Sequence, residues 1–479
     1  MTIQALFHRS ILGLFLCALL AFGPEAVHGQ SGMRSVKGMS TGGGTSVLDT
    51  GPAALYSNPA NLTVGSETHS LEIQLFRVGA YHGGDFYQFE HIDPLFYNNE
   101  ELLSSDEQKA TLDKWFGNDQ QTASTYLEVV PLSVTYRPSS ASWAAGFGVR
   151  GRAFQTSAID KGIFDVLLRG TGEDRTVPIN GRTRVYGTVD LAGAFSYRFS
   201  SVPLSIGVSP RVIFGTSFAD GALTSQATVS GDSLIHRFDY TSRAAGPVST
   251  GLFDTFNAFS SDPMNDVIGG SSGIAGIGGG VDLGATYTVR PDLHVSASIT
   301  DLGRITWSQD AQTVTPSNNV FRFEGVSLDS DQLSEEYDGD TGQYIEDQID
   351  SLARDAYEGV ERDRSSFTTG LPTTLHVGST WDRGIVTLNG GVSVGLNEDA
   401  GSVPDPAAVH VGGTLNLGSF PIRAGARFFG TQAVALSGGV GLDVGFYRFD
   451  VGASVTPNTS TLGSGARYAV SLSLATIRF

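Results

Sequence analysis

The sequence predicts an all-β chain: a transmembrane antiparallel β-barrel of about 14 strands with long outer loops. Three observations lead there. Apolar and polar residues alternate with period two in runs of about ten residues, the length of a tilted membrane-spanning strand. The connections between these runs alternate short and long, as an outer-membrane barrel requires. The chain is also rich in glycine, with 61 residues, and beyond its N-terminus no stretch is apolar enough to cross a bilayer as a helix.

Taken in order, the first element is a leader. His8 and Arg9 precede an apolar run from Ile11 to Phe22, too short to span a membrane, and small residues follow near Gly29. Residues 1–29 therefore read as a secretory signal peptide. The single cysteine, Cys17, lies inside it, and Leu14-Phe15-Leu16 before it lacks the small residue of a lipoprotein signal. The mature chain is expected to be exported and cysteine-free, so it is not a disulfide scaffold.

Residues 30–66 form the second element. They contain GPAALYSNPANL at 51–62, with Pro52 and Pro59. Proline breaks helix interiors and sheet ladders. Yet Ala53, Ala54, Leu55, Tyr56, Ala60 and Leu62 call for burial. Two readings fit a compact, irregular, half-apolar segment: a plug inside a barrel, or a capped turn leading into the first strand.

The barrel itself is expected over 67–479. Strands are read at 68–81, 126–137, 142–157, 183–199, 203–219, 280–290, 293–307, 373–382, 384–396, 407–417, 420–430, 433–445, 447–457 and 466–479. In one, Val281, Leu283, Ala285, Tyr287 and Val289 alternate with Asp282, Gly284, Thr286, Thr288 and Arg290; in the next, Leu293, Val295, Ala297 and Ile299 alternate with His294, Ser296, Ser298 and Thr300. The apolar set faces lipid and the polar set a lumen. The long outer loops are 82–125, 158–182, 220–279 and 308–372. The last strand misfits, because Tyr468, Val470, Leu472 and Leu474 are of opposite parity to Ile477 and Phe479; a register shift near Ala475 would reconcile them.

Charge narrows the partners. The net charge of −19 argues against nucleic acid. Asp310 to Arg364 holds 15 Asp/Glu against four Arg, which places that stretch in solvent. The polar face supplies the lumen candidates: Arg184, Asp190, Asp282, His294, His376, His410, Arg423, Arg427, Asp443, Arg448 and Asp450. They either pair with one another across a filled lumen or meet a solute. No catalytic, cofactor or metal constellation emerges. His82 with Asp85, and His91 with Asp93, lack ligand spacing; GIAGIGGG (273–280) precedes a strand rather than a helix; YDGDTGQYIED (337–347) misses calcium-loop spacing. The chain therefore does not read as an enzyme. Ser104 to Phe116 and Gln332 to Glu361 look helical and are placed in outer loops as lid elements.

One resemblance extends this reading. SVKGMSTGGGTSVLDTGPAALYSNPANL (35–62) resembles the N-terminal segment of FadL/PorV-like outer-membrane proteins, with Asn58, Pro59 and Ala60 as its central motif. GIGGGVDLGATYTV (276–289), VSASITDLGRITW (295–307), LLSSDEQKATLDKWF (102–116) and LPTTLHVGSTW (371–381) resemble a related, uncharacterised family of Bacteroidota-type barrels. The resemblance implies a fourteen-stranded barrel in the bacterial outer membrane, with the N-terminal segment, residues 30–66, folded into its lumen as a plug. It implies passive transport of a small hydrophobic or amphipathic ligand, with membrane lipids as surroundings. The alternative is a PorV-like non-transport barrel that acts as partner or scaffold for secreted or surface proteins.

Overall fold

A computed structural model describes residues 35–64, 69–86, 88, 104–117, 120–169, 174–230, 233–249, 273–323, 359–397, 407–429, 433–457 and 467–479. Fourteen strands close a ring. They are β1 (Leu71–Gly83), β2 (Gln121–Tyr136), β3 (Trp143–Ile159), β4 (Gly181–Arg198), β5 (Leu204–Ser230), β6 (Gly276–Arg290) and β7 (Leu293–Trp307). The ring continues through β8 (Thr374–Arg383), β9 (Val386–Gly395), β10 (Ala408–Leu417), β11 (Phe420–Phe429), β12 (Ala433–Asp443), β13 (Tyr447–Thr456) and β14 (Arg467–Arg478). Each pairs antiparallel with the next, and β14 pairs with β1, so the ring leaves no free edge.

The faces divide as the alternation requires. Leu283, Val411 and Leu436 point outward, 41%, 46% and 54% exposed, while Thr286 and Ser296 are buried inside. Aromatics collect on the outer surface near the short turns: Tyr136, Trp143, Tyr197, Tyr287, Trp381, Phe420, Phe446 and Phe479. That is the interfacial girdle of a membrane barrel. Three short turns use glycine at positive φ, Gly384, Gly418 and Gly445, where a side chain would strain the reversal.

Several strands carry bulges that re-aim the chain. Phe76 (φ 54°) and Asp301 (φ 58°) sit in the left-handed region. The pairing register slips at Val129/Leu132, at Gly187/Thr188, at Val281/Leu283 and at Arg448/Asp450. The last slip opposes Asp450 to Ser473 and Arg448 to Thr476, so the parity of β14 changes near Ala475, as the misfit suggested. Beyond each bulge the inward set changes parity.

The structure also corrects the outer loops. The expected strand 203–219 runs on to Ser230 and folds back through Ser233–Ala245, because the period-two pattern persists and Leu223, Leu234, Phe238, Tyr240 and Phe321 pack together. Short strands at Gln312–Pro316, Val320–Phe323 and Val360–Asp363 extend this hairpin. The helix expected to reach Glu361 is therefore strand at its end, where β-branched Val360 pairs with Pro316; its residues before 359 lie outside the described ones. The other helix is present over Ser105–Phe116, opened by a capping box between Ser104 and Glu107. It packs Leu112, Trp115 and Phe116 against Phe86 and Phe164. The leader, His91, Asp93 and 337–347 fall outside the described residues.

Candidate functional site: the barrel lumen

Three layers fill the lumen. The first, at the short-turn end, is the segment 35–64, folded as helices Val36–Ser40 and Thr45–Leu48 and 3-10 turns Gly51–Tyr56 and Pro59–Thr63. Each 3-10 turn carries proline in its first positions, where the missing N–H costs no bond. Asn58 caps the second: its Oδ1 accepts the Ala60 N–H at 3.1 Å. Its Nδ2 donates to the Ser46 carbonyl (2.8 Å) and to Thr286 Oγ1 on β6 (3.2 Å). Thr286 Oγ1 in turn donates to Asn61 Oδ1 at 2.6 Å. Ser296 on β7 donates to the Ser46 carbonyl (2.8 Å), and Ser196 on β4 to the Ala60 carbonyl (3.0 Å). The Asn-Pro-Ala motif is thus a clamp to the wall, made of polar groups that all find partners.

The wall makes room for it with glycine. A Cβ on Gly284 would lie 1.9 Å from Asn58 Oδ1, and one on Gly207 would lie 2.3 Å from the Ala60 nitrogen. On the opposite wall, Cβ atoms on Gly412 and Gly425 would meet the Thr41 backbone at 2.3 and 2.2 Å. At the segment's interior, Asp49 accepts from Ser35 Oγ, and burial pushes its carboxyl up to about 6.

The second layer is a belt of buried charge on β1–β7. Arg77 pairs with Glu128 (2.6 Å); Arg150 (2.6 Å) and Arg152 (3.0 Å) pair with Asp190. Arg152 also reaches Asp301 (3.0 Å), and Arg211 joins Asp282 (2.7 Å) to Asp301 (2.8 Å). Four guanidinium groups meet four carboxylates, so the belt is balanced and densely hydrogen-bonded, the condition under which buried charge is tolerable. The two Asp-Leu-Gly repeats now have a reason. Asp282 and Asp301 face each other across a bulge, the Asp301 N–H donates to Asp282 Oδ1 (2.6 Å), and Arg211 bridges both. The Leu-Pro-Thr motif secures that bulge, with Leu371 N–H donating to the Gly303 carbonyl and Thr373 Oγ1 to the Asp301 carbonyl. The belt also holds the segment, because the Arg150 guanidinium lies 4.6 Å from the centre of the Tyr56 ring.

The third layer, toward the long loops, is apolar. Tyr126, Phe154, Tyr186, Ile213, Phe218, Ile305, Trp307 and Leu371 form one buried cluster with Met39 of the segment, and Tyr81 and Phe367 pack on it. The bulges put it there. The inward side chains are charged at Arg211 and Asp301 and, past the bulges, apolar at Phe218, Ile305 and Trp307.

The expected lumen residues are distributed among these layers. Asp190 and Asp282 belong to the belt. Arg423 pairs with Asp450 (2.7 Å), while Arg448 and Arg478 share Asp443, all at the short-turn end. Arg427 donates to Ser393 and covers the Phe429 ring. His376 and His410 are buried; His294 is half-buried beside Thr288 (3.1 Å). Arg184 stands apart, with Asp220 near the long loops. Among the described residues, no three His, Cys, Asp or Glu side chains are placed to hold a metal ion. Period-two reading missed Arg77, Glu128, Arg150, Arg152, Arg211 and Asp301. Four of them stand on strands interrupted by bulges, and the available signal was the unusual density of Arg and Asp on inward positions of long strands.

The family of unknown function DUF5723 matches residues 86–470. The chain belongs to this family. Among solved structures, this DUF5723 protein is similar to the P. putida toluene transporter TodX, at 12% identity and a TM-score of 0.46, over 95% of this chain and 99% of that one. It is similar likewise to a Pseudomonas aeruginosa FadL homologue, at 13% identity and a TM-score of 0.46, over 94% and 98%. No curated protein matches the chain.

Proposed function

We propose that this DUF5723 barrel is a passive outer-membrane channel for small hydrophobic or amphipathic molecules, exported by its leader and closed by residues 35–64. The observation that carries the reading is the aromatic layer. Inward apolar side chains in the long-loop half form one cluster with Met39 of the closing segment. A solute entering from the loops would meet an apolar site whose floor is the plug itself. No ring strand pairs with the segment, so its removal takes away no ladder bond. Deleting 35–64 is therefore expected to leave a barrel with heat-modifiable gel mobility that conducts ions in planar bilayers and admits hydrophobic solutes to liposomes, where the intact chain does not. Unchanged conductance and uptake would contradict the reading.

The sheet that β5 builds beyond the ring, with Ser233–Ala245 and the short strands beside it, favours a second reading as a partner barrel for secreted or surface proteins. Capture of a stable protein partner, without uptake of any solute by the deletion, would favour it.

A further inference from the structure

Two small cavities flank the first helix of the segment. One, of about 40 Å3, lies toward the short turns and is lined by Val36, Lys37, Asp49, Arg423 and Arg448 among others. The other, of about 50 Å3, lies toward the long loops and is lined by Met39, Gly42, Gly43, Tyr81, Arg427 and Arg467 among others. Helix Val36–Ser40 and the turn Thr41–Gly43 border both, pressed on glycines of β10–β13: Thr41 on Gly412 and Gly425, and Ser40 on Gly439 and Gly452.

The two halves of the segment are held differently. Residues 46–63 are tied to the wall through Thr286, Ser296, Ser196 and Ser205, and through Tyr56 on Arg150. Residues 36–43 meet the wall by close contact, the Thr41 backbone and the Ser40 side chain on glycines and Met39 in the apolar layer, and by one long bond from Asn389 Nδ2 to the Thr41 carbonyl, 3.4 Å. Basic side chains outnumber acidic ones around the two cavities: Lys37, Arg77, Arg423 and Arg448 stand with Asp49, Glu72 and Asp450 at the first, and Arg467 of the second pairs with Asp85 (2.8 Å). Arg423, buried, turns its Nε and Nη1 to no hydrogen-bond partner among the described residues, and Arg427 and Arg467 line the second cavity, to which no acidic residue contributes.

We infer that the permeation path runs along the inner faces of β11–β14, joining the two cavities, that residues 36–43 are its gate while 51–63 stay seated, and that the guanidinium lining makes the open path anion-selective. Basic side chains on a low-dielectric wall concentrate anions and repel cations. The inference rests on the channel reading above.

Gly425→Leu tests it in the full chain. A side chain there cannot coexist with the seated Thr41 backbone. Gly193→Leu is the matched control, because a side chain on that β4 glycine meets no atom within 4 Å. In planar bilayers under a potassium chloride gradient, Gly425→Leu is expected to raise conductance above the parent, with a reversal potential shifted toward that of chloride. Adding Arg427→Gln should shift it back. Gly193→Leu should stay near the parent. No rise in Gly425→Leu, an equal rise in Gly193→Leu, or a cation preference, overturns the inference. If Gly425→Leu loses its heat-modifiable mobility, deletion of 36–43 carries the same test. A conducting 35–64 deletion beside silent gate variants defeats this inference alone; a silent 35–64 deletion defeats the channel reading with it.

Discussion

The two sides of the barrel solve the problem of a filled lumen in different ways. Strands β2–β7 are long, 15 to 27 residues, and bulged, and their inward faces carry the charge belt and then the aromatic layer. Strands β8–β13 are 10 or 11 residues with regular pairing among themselves up to the slip at β13/β14, and their inward faces are largely glycine, serine and threonine, with His376, His410 and the arginines of β11 and β13 among them. The first side holds the N-terminal segment by directed bonds, the second by close approach. Directed bonds fix a position; contact over glycine fills space without holding it. That difference places the anchor on one side and the movable part on the other.

The largest expected effect separates the sides by charge. Arg211→Met would leave Asp282 and Asp301 buried without their bridge, a loss of about 3–5 kcal/mol. Arg423→Met breaks a single pair beside a cavity and should cost clearly less. The midpoint of urea unfolding from detergent or vesicles reads both, and equal losses would break the comparison. Next, the lipid face should not distinguish the sides. Leu283→Arg and Val411→Arg should each cost roughly 2–4 kcal/mol, since both side chains face acyl chains. A large gap between them in folding efficiency would mean that one side is misassigned.

A smaller effect probes the clamp. Thr286→Val removes the partner of both Asn58 and Asn61 and should weaken seating by about 1–3 kcal/mol, read as faster proteolysis of the segment. Smallest of all, Lys161→Ala breaks an exposed pair with Asp113 that joins helix Ser105–Phe116 to helix Gly162–Arg169 in the outer loops, and should move the unfolding midpoint by less than ~1 kcal/mol. A larger shift would make those helices part of the wall rather than a surface element.

The same contrast explains what the sequence disclosed. On β8–β13 every outward and inward residue follows the alternation, so Val411, His410, Arg423 and Arg427 were placed from periodicity alone. On β1–β7 one inserted residue reverses the parity beyond it. Asp301 points inward beside Thr300, and Ile305 and Trp307 follow it inside, where strict alternation counted from Thr300 would send them outward. A bulge is a pairing property of two strands, and a single strand's pattern does not contain it. The Asn-Pro-Ala stretch was legible as compact and buried, but its partners were not, because the Thr286 that holds it lies over two hundred residues away. The outer hairpin was hidden for a different reason: length and polarity made it look like loop, although its alternation continued.

The central claim is that the N-terminal segment has one anchored half and one movable half. Ser40 and Ser57 test it most directly, since both are buried and nearly isosteric with cysteine. In a Cys17→Ser background, Ser40→Cys and Ser57→Cys are each exposed to a membrane-impermeant thiol reagent while the protein sits in vesicles. The account expects Ser40→Cys to label much faster than Ser57→Cys, with the difference reduced when Thr286→Val loosens the clamp. Equal rates in the clamped protein, or faster labelling at position 57, would contradict it.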